Sequence, residues 1–298
     1  MRNNKGLRMD GQKAGKVIII GNQKGGVVKT QSTNEISYNM QQLGYQTLII
    51  DFDSTSGLTE RIFPGSVPLT IDREPMGNAF APGEAHAFQL FFPDTEVKPE
   101  ALPDGRHIFG STNELGEINY RPQDCVFDFK DRIDALRCQY DYILIDSAPD
   151  YNNLLIASHV VGDYLLVPTL LEKGSRIGVG KQLNYMQRIK KNYNPGLQFL
   201  GTYITQASVQ SYTQPLLDGY LTAVETENLR RLYEILAEKN YGEDKVLGLI
   251  SWVKNQAKEA IELGLTIREY SPTSKPAVQY QELTNKIIKL TGEGTHGE

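Results

Sequence analysis

Little in this chain of 298 residues points to an unusual environment. It has two cysteines, Cys125 and Cys138, too few for a disulfide framework and too far apart for a chelating CxxC pair. They read as reduced thiols of a cytoplasmic protein. No apolar run approaches the roughly 18 residues of a membrane-spanning helix. The first residues carry charge with no apolar stretch behind them, so a secretory signal is not expected. A surplus of basic charge is also lacking. With 31 Lys and Arg against 36 Asp and Glu, the net charge of −5 gives no global attraction to nucleic acid or anionic lipid. Binding of that kind would need a local basic patch. The 40% hydrophobic and 22% charged content is that of a globular protein with a full core.

The first clear signal begins at Lys16. The β-branched run Lys16-Val17-Ile18-Ile19-Ile20 reads as a strand covered on both faces. A glycine-rich turn comes next, then Val28-Lys29-Thr30-Gln31, which can open a helix. Strand, glycine loop, Lys-Thr and helix is the layout of a phosphate-binding loop. Its N–H groups wrap an anion, the helix N-terminus adds positive potential, and a lysine meets the outer phosphates. The general motif has glycine immediately before Lys-Thr; this chain has Val28, stiff and bulky where backbone approaches phosphate.

Further along, Ile36, Met40 and Leu43 form one apolar helical face, with Gly44 as the C-terminal cap. The next strand, Thr47 to Asp51, delivers Asp51-Phe52-Asp53 into a Ser/Thr/Gly turn. Strand–helix–strand in so short a span is a βαβ unit, so the sheet is parallel and ligands belong at the strand C-termini. Residues 62–105 read as an irregular excursion, 106–110 as a strand, and Cys125 to Arg137 as a helix. Tyr142-Ile143-Leu144-Ile145-Asp146 is an apolar strand ending in a carboxylate that can hold the hydration shell of Mg²⁺ beside the Thr30 hydroxyl.

Tyr164 to Pro168, Gln198 to Ile204 and Val246 to Ser251 are three more strands. The intervening helices are Ser175 to Lys191, with Ile177, Leu183, Met186 and Ile189 inward, and Val224 to Lys239. A last helix over 277–290 aligns Tyr280, Leu283, Ile287 and Leu290. This alternation predicts one doubly wound α/β domain over 16–290 with a mostly parallel sheet, between a basic arm (1–15) and a tail (291–298), both flexible.

The segment Lys24-Gly25-Gly26-Val27-Val28-Lys29-Thr30 resembles the deviant Walker A motif, KGGVGKT, of the ParA/MinD ATPase family. Asp51 to Thr59 looks like that family's DxDPQGNLT segment, Asp141 to Pro149 its YDYIIIDxPP segment, and Val160 to Pro168 its ADxVLIPV strand. These ordered segments cover about residues 16–170, and the chain looks most like short plasmid-partition ParA proteins. Val28, Gln31 and Ser54-Thr55 depart from the family pattern, which puts the rate of hydrolysis in question.

The resemblance implies a P-loop NTPase fold and a cytoplasmic, nucleoid-associated homodimer that sandwiches ATP and Mg²⁺. Such a dimer binds double-stranded DNA without sequence preference. A ParB-like or small ribbon-helix-helix centromere-binding partner would stimulate slow hydrolysis. Lys24 would reach the partner subunit's nucleotide, Lys29 the phosphates of its own subunit, and Asp53 the attacking water, making these three the catalytic candidates. Lys24, Gly25, Gly26, Val27, Val28, Lys29, Thr30 and Gln31 would bind nucleotide, and Thr30, Asp53 and Asp146 the metal. Thr205-Gln206 and 252–255 are candidates for adenine contacts. Lys181, Arg188, Lys190, Lys191, Lys254 and Lys258 are candidates for DNA, with Arg230, Arg231 and Arg268 also basic. Two other readings share the fold: a DNA-associated regulator that has lost hydrolysis, and a MinD-like positioning ATPase. The acidic, flexible tail argues against membrane attachment.

Overall fold

The computed structural model describes residues 14–64, 85–149, 152–207, 221–251 and 254–292. The basic arm up to residue 13, Trp252 and the tail beyond residue 292 lie outside them, and the side chain of Lys254 is likewise not described.

Eight strands form one sheet: β1 (Lys16–Ile20), β2 (Thr47–Phe52), β3 (Glu100–Ala101), β4 (His107–Phe109), β5 (Tyr142–Ser147), β6 (Tyr164–Thr169), β7 (Gln198–Ala207) and β8 (Val246–Ser251). Their order is β3-β4-β2-β5-β1-β6-β7-β8, parallel except for the short edge strand β3. Of the helices, α1 (Lys29–Gln42) and α2 (Gly57–Ile62) follow β1 and β2; α3 (Cys125–Leu136) precedes β5; and α4 (Asn153–Val161) links β5 to β6. After β6 come α5 (Lys173–Asn192), α6 (Ala223–Ala237), α7 (Lys254–Glu262), α8 (Ile267–Tyr270) and α9 (Lys275–Gly292).

Period-two alternation divides the core. Val17, Ile143 and Ile145 face one layer, where Phe52, Phe91 and Phe129 stack with centroids 4.8–5.7 Å apart. Ile18, Ile20, Tyr142 and Leu144 face the other, against Ile36 and Met40 of α1 and Tyr280, Leu283 and Ile287 of α9. Truncating Phe129 to alanine in such a cluster costs about 3–5 kcal/mol. Central strands covered on both sides explain why β1, β2 and β5 read as continuous apolar runs rather than alternating ones.

β1 lies between β5 and β6, while the chain leaves β1 for β2 on one side and later crosses to β6 on the other. That reversal opens a crevice at the carboxyl ends of the strands.

Three inward assignments from the sequence are corrected. Leu43 is the C-cap residue of α1, past the last helical residue, and is exposed; Gly44 takes the left-handed turn (φ 90°) as expected. Ile177 is exposed because Ser175, Val179, Gln182 and Leu183 carry the buried stripe of α5, and Ile177 sits about 200° from Val179. Leu290 also faces out. The stripe of α9 drifts so that Thr291 closes the core beside Tyr142, whose hydroxyl lies 3.1 Å from Thr291 Oγ1.

Candidate functional site: a phosphate loop at the sheet's switch point

The loop leaves β1 at Gly21, whose N–H donates to Leu166 O (3.1 Å), tying it to β6. Buried Asn22 orders the turn beyond it. Its Nδ2 donates to Pro168 O (2.7 Å) and its Oδ1 accepts from Lys24 N–H (3.0 Å). Gly178 of α5 makes room for it, since a β-carbon there would stand 2.3 Å from Asn22 Oδ1. The exposed Lys24 side chain lies along the same glycine face, its Cε 3.5 Å from the place of a β-carbon on Gly174. Gly25 and Gly26 are exposed and Val27 is buried.

Val28 is the N-cap of α1 with φ 67° and ψ 29°. The site thus needs the left-handed backbone that glycine supplies freely, and a β-branched residue adopts it at a cost of about 1–2 kcal/mol. The conformation demanded by the motif is retained despite the residue. Val28 lines a cavity beside the loop.

Lys29 and Thr30 are half-buried in the first turn of α1. They face Asp146 at the end of β5, which is fully buried. Burial raises the Asp146 pKa to about 6, opposed by the Lys29 charge and by hydrogen bonds from Thr30 and Thr33, and reinforced by Asp53. Asp51 is also buried, and its Oδ2 accepts from Thr59 N–H (2.8 Å) and Thr59 Oγ1 (2.6 Å). Burial first, then Asp146 and Asp53, lift it to about 7. Asp53 is half-buried, and its Oδ1 accepts from the N–H (3.0 Å) and hydroxyl (2.8 Å) of Thr55, so it caps its own turn. Ser111 fastens this turn to the end of β4, donating from Oγ to Asp53 O and from N–H to Thr59 Oγ1, both at 2.8 Å.

The donor set fits magnesium. Asp146 and the Thr30 hydroxyl adjoin, and Asp51 and Asp53 add a field that favours a cation. Among the described residues no group of three or more His, Cys, Asp or Glu could form a cage. Two protein oxygens with water completing the shell is the usual coordination of magnesium.

The cavity lined by Val28, measuring about 370 Å³, opens beside Gly26 and reaches Thr205 and Gln206 at the end of β7, Ser251 at the end of β8, and Pro276 and Tyr280 of α9. Its size suits a nucleoside. Thr205 and Gln206, the candidates for adenine contacts, thus line the cavity beside the loop; Trp252 and its neighbour fall outside the described residues. A larger groove of about 510 Å³ between β8 and α9 holds none of the loop residues.

Sequence reasoning missed three participants. Asn22 carried no motif weight. Arg61 at the end of α2 lines the cavity and donates through Nη1 to Gln31 Oε1. Buried Glu35 accepts from Gln31 Nε2 (2.5 Å) and Ile267 N–H (2.6 Å). Only tertiary contact reveals them, because α1, α2 and α8 meet there from distant parts of the chain.

Of the basic candidates, Lys181, Arg188 and Lys191 are exposed on α5 at near-helical spacing, with Lys190 half-buried in its last turn. Lys258 pairs loosely with Glu262 (3.7 Å) and lines the nucleoside-sized cavity. Arg230 and Arg231 are engaged by Glu227 and Glu234, and Arg268 donates to Asn39 Oδ1 (2.6 Å).

A parallel sheet with a glycine loop, an Lys-Thr helix start and a facing buried aspartate at its switch point defines a P-loop nucleotide-binding α/β protein. A family model described as an AAA domain (AAA_31) matches residues 15–199. The chain is 26% identical over 281 residues to the chromosome-partitioning ATPase Soj of Thermus thermophilus, covering 93% of this chain and 96% of that one. It is 24% identical over 273 residues to the sporulation initiation inhibitor protein Soj of Bacillus subtilis, covering 92% and 98%. Among solved structures, an ATP complex of a McdA variant from Cyanothece superposes with a TM-score of 0.72 at 16% identity, covering 96% of this chain and all of that one. The chain belongs to the ParA/MinD family of deviant Walker A proteins.

Proposed function

We propose that this protein is a ParA-type ATPase that couples ATP binding and slow hydrolysis to positioning or partition of DNA. The observation that carries the reading is the pairing of the Asn22–Thr30 loop at the end of β1 with buried Asp146 at the end of β5. Relatives named as chromosome-partitioning ATPases, matched over nearly their whole length, support it. Lys29 and the loop N–H groups would hold the phosphates, and Thr30 and Asp146 the magnesium, which when bound neutralises phosphate charge. Asp53 would orient water once nucleotide draws it from its turn-capping bonds.

Lys24 would act across a homodimer. Its exposure, with its stem resting on the glycine face of α5, leaves its head available to a second subunit. The stripe Lys181, Arg188 and Lys191 would contact DNA phosphates, and a centromere-binding protein would stimulate turnover. The protein would work in the cytoplasm on the nucleoid. No helix among the described residues is long and apolar enough to cross a membrane, and α9 buries its apolar face in the core. The second fact favours this reading over a MinD-like membrane cycle.

The decisive test pairs Lys29→Ala with Asp53→Ala. Lys29→Ala should abolish binding of a labelled ATP analogue. Asp53→Ala should keep binding and lose turnover; unchanged ATPase activity in that variant refutes the role of Asp53. Val28 favours the second reading, a regulator without hydrolysis. Wild-type protein that binds ATP and DNA but shows no turnover with any partner would establish it.

A further inference from the structure

We propose that Arg61 is a phosphate-binding residue of this site, a second cation supplied by α2 to the polyphosphate chain of the bound nucleotide. The inference rests on the reading of the loop as nucleotide-binding.

Arg61 is a cation without a contacting anion among the described residues. Its side chain is largely enclosed, and burial pushes its pKa down. No carboxylate lies within ion-pair distance of it among the described residues. Its one hydrogen bond to them runs from Nη1 to the neutral amide of Gln31, and Nε is buried without a partner. Asp146 first, then Tyr280, Glu35 and Glu60, oppose that shift through space without touching the guanidinium; a guanidinium enclosed with no contacting anion is unfavourable, so such a group is found where an anion completes it. Glu35, the carboxylate that shares Gln31 with it, makes no ion pair with it. Its Oε1 accepts from Gln31 and Ile267, its Oε2 is buried without a hydrogen-bond partner, and burial raises its pKa to about 7, which weakens its charge.

The missing anion has an evident place. Gln31, which holds Arg61, is two residues past Lys29 in the same helical turn that receives phosphate, and Arg61 lines the cavity that opens beside Gly26 and Val28. A guanidinium prefers phosphate to other acceptors because its fork matches two oxygens. The nucleotide's base is uncharged and would leave the guanidinium without a contacting anion. Gln31 thereby acquires a purpose as a positioning residue: its amide faces Glu35 with the nitrogen and Arg61 with the oxygen, fixing the guanidinium toward the cavity.

The test measures equilibrium binding of ATP and of inorganic tripolyphosphate, each with Mg²⁺, to wild-type protein, Arg61→Met, Arg61→Lys and Lys29→Ala. Urea midpoints are measured without ligand. Arg61→Met should weaken both ligands by roughly ten- to a hundredfold, with Arg61→Lys between it and wild type. The ligand-free midpoint of Arg61→Met should stay level or rise, because an enclosed cation without a contacting anion has gone. Three results would overturn the proposal: both ligands binding Arg61→Met within about twofold of wild type, a loss confined to ATP, which would place the base on Arg61, or a fall in the ligand-free midpoint, which would make Arg61 structural. If Lys29→Ala binds both ligands like wild type, the nucleotide-loop reading fails by itself, and Arg61 is still judged on tripolyphosphate.

Discussion

Single residues at this site hold energy that their neighbours must offset. Val28 occupies the left-handed region that the loop requires, at φ 67°. Val28→Gly should remove about 1–2 kcal/mol of strain and return roughly half of it as unfolded-state entropy. A denaturant midpoint equal to or above wild type is the expected outcome. Because the valine lines the cavity beside the loop, affinity for an ATP analogue should change by less than about threefold. A larger gain would mean that Val28 obstructs the phosphates. Glu35 sets a pH dependence. Its folded-state pKa of about 7 lies above the ordinary 4.5, so its proton is held more tightly in the folded protein. The stability it contributes is complete below about pH 4.5 and is lost as pH rises to about 7, up to about 3 kcal/mol. Glu35→Gln keeps the acceptor used by Gln31 and Ile267 and removes the titration. The stability of the variant relative to wild type should therefore rise between pH 5 and pH 8 in paired urea titrations; a constant difference would show that Glu35 does not titrate in that range.

At the scale of elements, α5 joins two tasks. Its first turns offer Gly174 and Gly178 to the loop, and its outer stripe and last turn carry Lys181, Arg188, Lys190 and Lys191. Lysines in a last turn also suit the helix dipole, so their presence alone proves no ligand. Reversing charge at Lys190 and Lys191 together should weaken DNA binding several-fold at low salt and flatten its salt dependence. Unchanged binding in a mobility assay would remove α5 from the DNA surface. The two carboxylates at the end of β2 show how an element divides labour. Asp51 points inward and ties Thr59 of α2 to the sheet, whereas Asp53, past the strand end, caps the turn and faces the site.

For the whole molecule, the sheet's reversal at β1 decides where chemistry occurs, because it gathers the ends of β1, β2 and β5 around one crevice. Ligand binding there should stabilise the fold globally. Mg-ATP at a hundredfold excess over its Kd is expected to add about 2.7 kcal/mol to unfolding, and none in Lys29→Ala. Removing the nucleotide should return the wild-type midpoint to its starting value.

Strands, most helices and the loop were legible in the sequence because their signals are local: β-branched runs of five or six residues, a glycine turn, an aspartate closing an apolar strand. The helix faces were legible only in part, since Leu43, Ile177 and Leu290 are apolar yet exposed where a stripe drifts or ends. Lys29, Thr30 and Asp146 are singled out by order and spacing alone, and the fold brings them together at the ends of β1 and β5. Arg61, Gln31 and Glu35 could not be grouped in that way. Arg61 sits on a separate helix from the other two with no shared motif, and the significance of the group is an enclosed guanidinium without a contacting anion among the described residues, which exists only once the helices pack. The backbone at Val28 is the converse case. The residue type argued against the motif, but the tight passage from the glycine loop into α1 holds Val28 in the left-handed turn all the same, a conformation that only the folded connection reveals.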